Sequence, residues 1–326
     1  MKAVVCHALG EPADLVLDNV ESPQVGPEEI KVALSAAAVN FADILMVQGK
    51  YQFKPPLPFS PGFEGAGQVM EIGSKITGFQ VGDRVMTHHR YGGYVEEIVL
   101  PETALRPLPE QFSFVEGAAF SGVYNTAYVS LCSRANLKKG EVLLVHGASG
   151  GVGLAAVEIG KVLGATVIAT ASSAEKLAVV QKKKADHLIN YSDGFKEKVL
   201  EVTEGRGADV IYDPVGGDVF DESTRCIAWG GRLLVVGFAG GRIAEIKTNI
   251  PLLKGFSIVG VRAGEFGRRD LLAAQENFTV MLDWVKQGKI HPYVSQTFPL
   301  EQAVQAMELL ATRQAFGKVV LTIREM

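Results

Sequence analysis

Cysteine is scarce in this chain of 326 residues. Cys6, Cys132 and Cys226 are the only three, too far apart to set up a disulfide framework. Charge of neither sign dominates. Lys and Arg number 32 against 36 Asp and Glu, a net charge of −4, and no long basic run appears. That balance argues against nucleic acid or an acidic membrane surface as the main partner. No stretch reaches the ~20 apolar residues of a membrane-spanning helix, and the opening MKAVVCHALG turns polar too soon for a signal peptide. A cytoplasmic location is the expectation. Internal repeats and low-complexity segments are absent as well.

What is present is a globular composition, 47% hydrophobic, with length enough for two domains. The first hundred residues read as β-rich. EEIKVALSAAAVN, GAGQVMEIG, GDRVMTHH and GGYVEEIVL are short alternating runs punctuated by glycine, the pattern of a small barrel-like domain. From about Glu116 the texture changes, and EGAAFSGVYNTAYVSLCSRANL spaces its apolar residues as one helix ended by KKG. Strands are then expected at 142–146, 165–170, 187–189, 209–213, 231–236 and 257–261. Helices are expected at 151–163, 174–184, 195–203 and 219–226. This alternation predicts an α/β fold with a doubly wound parallel sheet. The tail from His291 adds β, helix and β that fit better with the first domain. The boundaries follow: 1–117 with 290–326, and 118–289.

The most informative stretch is VLLVHGASGGVG, residues 142–153. Its loop offers almost no side chains, and two chemistries fit. Gly147-Ala148-Ser149-Gly150-Gly151 reads G-x-S-x-G, a hydrolase nucleophile elbow. Ala148, Gly150 and Gly153 read as a variant G-x-G-x-x-G, the phosphate loop of a dinucleotide fold. In the second reading Gly150 lets backbone N–H groups approach a pyrophosphate at the positive end of the helix starting near Gly151. Gly153 lets that helix pack closely on the strand. An elbow needs a later acid and histidine, and the downstream histidines, His187 and His291, lack a catalytic setting. The dinucleotide reading is preferred; a purely structural turn is the third account. An NAD site places Asp or Glu on the ribose about 20 residues past the glycines. Here Ser172, Ser173 and Lys176 stand there instead, suited to a 2′-phosphate, although Ser173 also serves as a plain helix N-cap. NADPH is the expected cofactor.

With these motifs in hand, AAVNFADILMVQGKYQ, PGFEGAGQVMEIG, GDRV, GGYVEE, EGAAF, HGASGGVG, HLINY and YDPVGG together resemble the medium-chain dehydrogenase/reductase superfamily over essentially the whole chain. The likeness is to its zinc-free NADPH:quinone oxidoreductase branch, which includes the zeta-crystallins. The resemblance implies a GroES-like catalytic domain interrupted by a Rossmann domain, with the active site in the cleft between them. Zinc-containing relatives carry a Cys shortly before the segment that reads Ala37-Ala38-Val39-Asn40 here, and Gly-His-Glu where this chain has Gly62-Phe63-Glu64. Phe63 cannot ligate a metal, no cysteine lies between Cys6 and Cys132, and His88-His89 reads as a solvated loop pair. No metal is expected. Lys184 stands where relatives usually have a glycine, which weakens the expected helix stop.

By resemblance, the cofactor contacts Thr126, the loop Ser149, Gly150, Gly151 and Val152, then Ser172 and Lys176 at the 2′-phosphate, with Tyr191 by the adenosine. Gly237, Phe238, Ala239, Val261 and Ala263 line the nicotinamide side. Plain alternatives are a surface turn for Tyr191 and a core aromatic for Phe238. Lys318 reads as a solvated strand lysine, with a phosphate contact as its alternative. Asn40, Asp43 and Tyr51 match the substrate-cleft positions and are the catalytic candidates. Asp43 could instead be a capping or structural partner, and Asn40 a turn. The expected partner is a small electrophilic acceptor, a quinone or enone. An enoyl-thioester reductase with Tyr51 as proton donor is the alternative. A serine hydrolase through Ser149, and a cofactor-binding protein without turnover, are the readings from other classes. FSIVGVRAG predicts an apolar edge strand that a homodimer would cover.

Overall fold

The computed structural model describes residues 1–324. In chain order the elements are β1 (Lys2–Val5), β2 (Val16–Asn19), β3 (Glu29–Val39), α1 (Phe41–Val47), β4 (Glu64–Ile72), β5 (Arg84–His88), β6 (Glu97–Pro101) and β7 (Leu105–Pro107). Then come α2 (Phe114–Ala118), α3 (Ser121–Tyr128), β8 (Val142–Val145), α4 (Gly151–Val162), β9 (Thr166–Ala171), α5 (Ala174–Gln181), β10 (His187–Asn190) and α6 (Lys196–Val202). The remainder is β11 (Ala208–Asp213), α7 (Gly217–Ser223), β12 (Ile227–Val235), α8 (Asn249–Lys254), β13 (Ser257–Gly260), α9 (Ala263–Arg269), α10 (Leu271–Lys286), β14 (Val294–Pro299), α11 (Ala303–Ala311) and β15 (Lys318–Thr322).

The chain forms two compact units. One comprises Met1–Gly122 and the segment from Pro292 onward; the other is Val123–His291. The sequence texture had set these divisions slightly earlier, after residues 117 and 289. The first unit is built on a seven-stranded sheet ordered β14-β15-β3-β4-β5-β7, with β6 also pairing β3. Its centre is the eleven-residue β3, whose alanines explain how a helix comes so close. Ala36, Ala38 and Ala66 pack with Ala118 and Ala119 at the end of α2, joined by Val320, so small side chains dominate this contact. A methyl on Gly117 would lie 2.2 Å from Leu108 Cδ1, so that approach leaves no room for a side chain.

The second unit carries a six-stranded, wholly parallel sheet ordered β10-β9-β8-β11-β12-β13. Counted within the unit this is 3-2-1-4-5-6, the order of a doubly wound dinucleotide-binding sheet, and the order reverses between β8 and β11. β8 is buried along its whole length, as a central parallel strand must be.

Three sequence expectations are corrected. The long helix from Glu116 is broken into α2, α3 and a π-helical stretch, Val129–Arg134. Ser113 and Glu116 cap α2 reciprocally, which starts a separate short helix, and the boundary between the units falls inside α3. The helix after β11 starts at Gly217, not Val219, because Gly216 and Gly217 take φ of +71° and +57° and turn the chain early. The sixteen-residue α10 gave no sequence expectation; its Leu271 and Leu272 are exposed, so its apolar residues do not trace one buried face. Lys184 completes the helix stop itself at φ +62°, a left-handed conformation that costs a residue with a side chain about 1 kcal/mol.

Candidate active site

In the parallel unit, β8 delivers His146 and then the glycine loop. Gly147 turns at φ +55°. A methyl on Gly153 would collide with Gly147 O at 2.3 Å and Ala148 Cα at 2.7 Å, so only glycine lets α4 rest against the loop. Gly150 is the N-cap of α4 and brings no side-chain cap. The first-turn N–H groups of a twelve-residue helix therefore face outward with no side-chain acceptor, the arrangement that binds a phosphate. Ser149 is buried, and Val152 sits in the first turn.

At the end of the next strand, β9, Ser173 caps α5 by accepting from Lys176 N at 3.3 Å, and Lys176 Nζ donates to Ser172 Oγ at 3.1 Å. Capping and a cation–hydroxyl cluster coexist, as the sequence allowed. Tyr191 follows β10 and donates its N–H to Ala171 O at 3.2 Å, which holds the two strand ends side by side. Gly237, Phe238 and Ala239 follow β12. Their loop is stapled to residues 214–215 by Ala239 N–H to Pro214 O (3.0 Å) and Gly240 N–H to Val215 O (2.7 Å). Phe238 is 41% exposed, so the core-aromatic alternative fails. Val261 follows β13 and Ala263 opens α9. Apart from Thr126, which lies in α3, these residues all stand just beyond the carboxyl ends of parallel strands, where open α/β sheets bind ligands.

Sequence reasoning missed what anchors this edge from behind. His146 is fully buried, its Nδ1 2.9 Å from Thr170 Oγ1 and its Nε2 2.9 Å from Ser223 Oγ. Burial pushes its pKa down to about 3, so the ring is neutral. Asp213 is buried too, and its Oδ1 accepts from Val215 N (2.8 Å) and Gly216 N (2.9 Å). The elbow alternative finds no triad: among the described residues no histidine or carboxylate hydrogen-bonds the Ser149 hydroxyl, and both nitrogens of the adjacent His146 are engaged elsewhere.

In the β-rich unit, β3 ends at Val39 and Asn40 leads into α1. The Asn40 side chain is committed inward. Its Oδ1 accepts from Lys318 Nζ at 2.7 Å, and its Nδ2 donates to Glu64 Oε1 at 3.1 Å. Lys318, read from sequence as solvated, is 4% exposed and ion-pairs with the buried Glu64 at 3.0 Å. Its place at the start of β15 explains the error, because β15 is an interior strand between β14 and β3. Burial works to raise the Glu64 pKa, but the Lys318 charge, with His88 and the Gly122 N–H, outweighs it and holds the carboxyl below its ordinary value.

Asp43 is fully buried. Its Oδ2 accepts from Asn40 N (2.8 Å) and Tyr94 OH (2.9 Å), its Oδ1 from Gly62 N (3.0 Å). The geometry is that of the capping and structural alternative. Tyr51 is half-buried, tied by its N–H to Leu45 O at 3.0 Å and packed edge-on to Phe63 with ring centroids 5.5 Å apart. His88 is exposed as expected, but His89 is not solvated. Both its ring nitrogens are enclosed, and burial lowers its pKa to about 3. Gly93 makes the room, since a methyl there would stand 3.0 Å from His89 Nε2.

Residues 26–110 match the alcohol dehydrogenase GroES-like domain family, and residues 151–287 match the zinc-binding dehydrogenase family. The quinone oxidoreductase-like protein 2 homolog of Nematostella vectensis is 43% identical over 99% of this chain and 89% of its own length. Quinone oxidoreductase-like protein 2 of Rattus norvegicus is 36% identical over 99% of this chain and 92% of its own. The crystal structure of Escherichia coli quinone oxidoreductase complexed with NADPH superposes with a TM-score of 0.90 at 28% identity, covering 99% of this chain and 100% of that one.

The Asp43 carboxyl gives a testable pH dependence. Burial, the strongest influence, drives it up to about 7, against the Asn40 N–H, the Tyr94 hydroxyl, the Gly62 N–H and Lys318. An unfolded aspartate titrates near 3.9. Between about pH 4 and 7 the folded chain therefore holds a proton that the unfolded chain has released, and stability from this group is lost as pH rises through about 7. In urea unfolding, the stability of the wild type relative to Asp43→Asn should fall by about 2 kcal/mol from about pH 5 to 7.5 and level off above. A difference that is constant with pH would refute this assignment.

Proposed function

The chain belongs to the medium-chain dehydrogenase/reductase superfamily, and on that premise we propose that it is an NADPH-dependent reductase of quinones and related activated acceptors that works without zinc. The observation that carries the cofactor half is the open first turn of α4 behind Gly150, with Ser172 and Lys176, rather than an acid, at the next strand tip. Bound NADPH supplies a hydride, which with one proton from water converts a quinone to its hydroquinone and leaves NADP⁺.

This chain's residues do the holding. The α4 N-terminus and the loop from Ser149 to Val152 take the pyrophosphate. Ser172 and Lys176 take the 2′-phosphate, and Tyr191 lies by the adenosine. Thr126, Gly237 to Ala239, Val261 and Ala263 attend the nicotinamide. In the β-rich unit Tyr51 is the group that meets the acceptor, through its ring and hydroxyl. Asn40 and Asp43 become positioning residues. Lys318 and Glu64 immobilise the Asn40 side chain, and Asp43 fixes the start of α1, to whose last turn Tyr51, in the loop that follows, is tied through Leu45 O. A quinone oxyanion needs only hydrogen-bond donors and water for protonation, so no further acid is required.

Phe63 packed against Tyr51, in place of a ligating side chain, supports the zinc-free reading, and elemental analysis finding one zinc per chain would overturn it. A homodimer is part of the proposal as well. β13 is an edge strand with Ile258 37% exposed, and Leu252 and Leu253 on α8 beside it are exposed. Sedimentation at micromolar concentration should give a dimer, not a monomer.

Two substitutions test the assignment. Replacing Lys176 by Ala should weaken NADPH binding by on the order of 1–2 kcal/mol while leaving NADH nearly unchanged; equal losses for both cofactors would remove Lys176 from the 2′-phosphate. Replacing Tyr51 by Phe keeps the ring and deletes one hydrogen bond. Turnover of quinones should fall about tenfold or less. A loss of roughly 10²–10⁴-fold on an enoyl thioester would instead make Tyr51 a general acid and favour the thioester as substrate.

A further inference from the structure

Residues 48–63, which carry Tyr51, and residues 88–94 form two loops of the β-rich unit, tied together by the His89 N–H to Phe63 O (2.9 Å) and the Gly92 N–H to Ser60 O (2.8 Å). Between them they contribute Lys50, Lys54 and Arg90, all exposed, and neither contains an Asp or Glu. Among the described residues none of these three cations has an ion pair, whereas Lys2, Lys161 and Arg232 are each matched by a carboxylate within 3 Å. The neighbouring acids are already used: Asp43 and Glu64 are buried with their own donors, and Glu11 takes the Gln48 amide at 2.7 Å. Arg90 is also held in place. Its guanidinium lies over the Phe53 ring, 4.9 Å from the centroid, and Phe53 lies 5.9 Å from Tyr91 at a shallow 31°. Tyr91 in turn packs edge-on to Phe59 at 6.3 Å.

Stacking fixes the plane of a guanidinium without consuming its N–H groups, which point outward from the edge in a fork suited to an oxyanion. We propose that this face selects the acceptor: a planar, quinone-type molecule bearing an anionic substituent (carboxylate, sulfonate or phosphate), whose ring lies by Tyr51 and the loop aromatics and whose charge is taken by the Arg90 fork within the field of Lys50 and Lys54. The inference rests on the quinone-reductase reading and narrows its substrate class. The anionic group takes no part in the reduction, so its effect falls on binding.

A matched pair of acceptors, ortho-naphthoquinone and its ring sulfonate, tests it with NADPH in excess. In the wild type, added salt should raise KM for the sulfonate selectively, because screening acts on the charged acceptor alone. Arg90→Gln should raise the sulfonate KM about tenfold more than that of the neutral quinone, with kcat changing less. Arg90→Lys, which keeps the charge but loses the fork, should give an intermediate shift, and Lys75→Gln, on an exposed surface pair elsewhere, should change neither acceptor. Equal effects of Arg90→Gln on both quinones, with no salt dependence, would overturn the proposal. Calorimetric titration with naphthalene sulfonate, which cannot be reduced, separates the two readings. Binding weakened about tenfold by Arg90→Gln supports the anion site, and if neither quinone is then reduced, it is the reductase reading that fails. No binding to the wild type, or equal binding to the variant, overturns the anion site whatever the turnover.

Discussion

A buried ion pair sits where four segments of the β-rich unit meet. Lys318 on β15 reaches Glu64 on β4; the same ammonium holds Asn40 at the end of β3, and the other Glu64 oxygen accepts the Gly122 N–H at 2.6 Å. Two charges this far from water are expensive, and their mutual attraction repays the cost only when every remaining donor and acceptor is filled. Here Val39 O, at 3.4 Å, takes a further share of the ammonium. Removing either partner would strand the other, typically a loss of about 3–5 kcal/mol. The pair therefore acts less as a source of stability than as a locator. It fixes where β3 stops, and with it the residues that follow.

The parallel unit solves a related problem with a neutral group. A loop made of Gly, Ala and Ser cannot anchor itself, so the residue before it does. Ser223 gives its hydroxyl proton to Val219 O at 2.7 Å and must accept from His146 Nε2–H; Nδ1 is then left to accept from Thr170. The ring thus links the ends of β8 and β9 to α7. Because burial keeps it uncharged, the link does not change across the working pH range.

How much of this was legible in the sequence follows from what kind of signal each feature leaves. The glycine loop and the alternation of strands and helices, including the β, helix and β of the tail, rest on local spacing, and local spacing survives in a sequence. The burial of Lys318, the enclosure of His89 and the inward commitment of Asn40 and Asp43 do not. Each depends on a partner far away in the chain: Glu64 lies 254 positions from Lys318, and Tyr94 lies 51 from Asp43. FGKVV looks the same whether its strand is an edge or an interior one. The π-helical stretch after α3 likewise leaves no spacing of its own, since its apolar residues continue the helical rhythm.

The order in which the chain is made gives the sheet of the first unit a particular history. β15 lies between β14 and the central β3, so the Ala36–Val39 end of the β3 flank, beyond the part that β6 covers, has no strand partner while the whole parallel unit, Val123–His291, is being synthesised. During that interval Glu64 lacks its Lys318 partner, and the alanine-rich end of β3, residues 36–39, has an unpaired edge. All six strands of the parallel sheet therefore precede β14 and β15 in the chain, whereas the sheet of the first unit needs those two last strands to be complete. Only when residue 318 arrives does that edge close and its buried acid gain a counter-ion, so the unit that begins the chain is the later of the two to be finished.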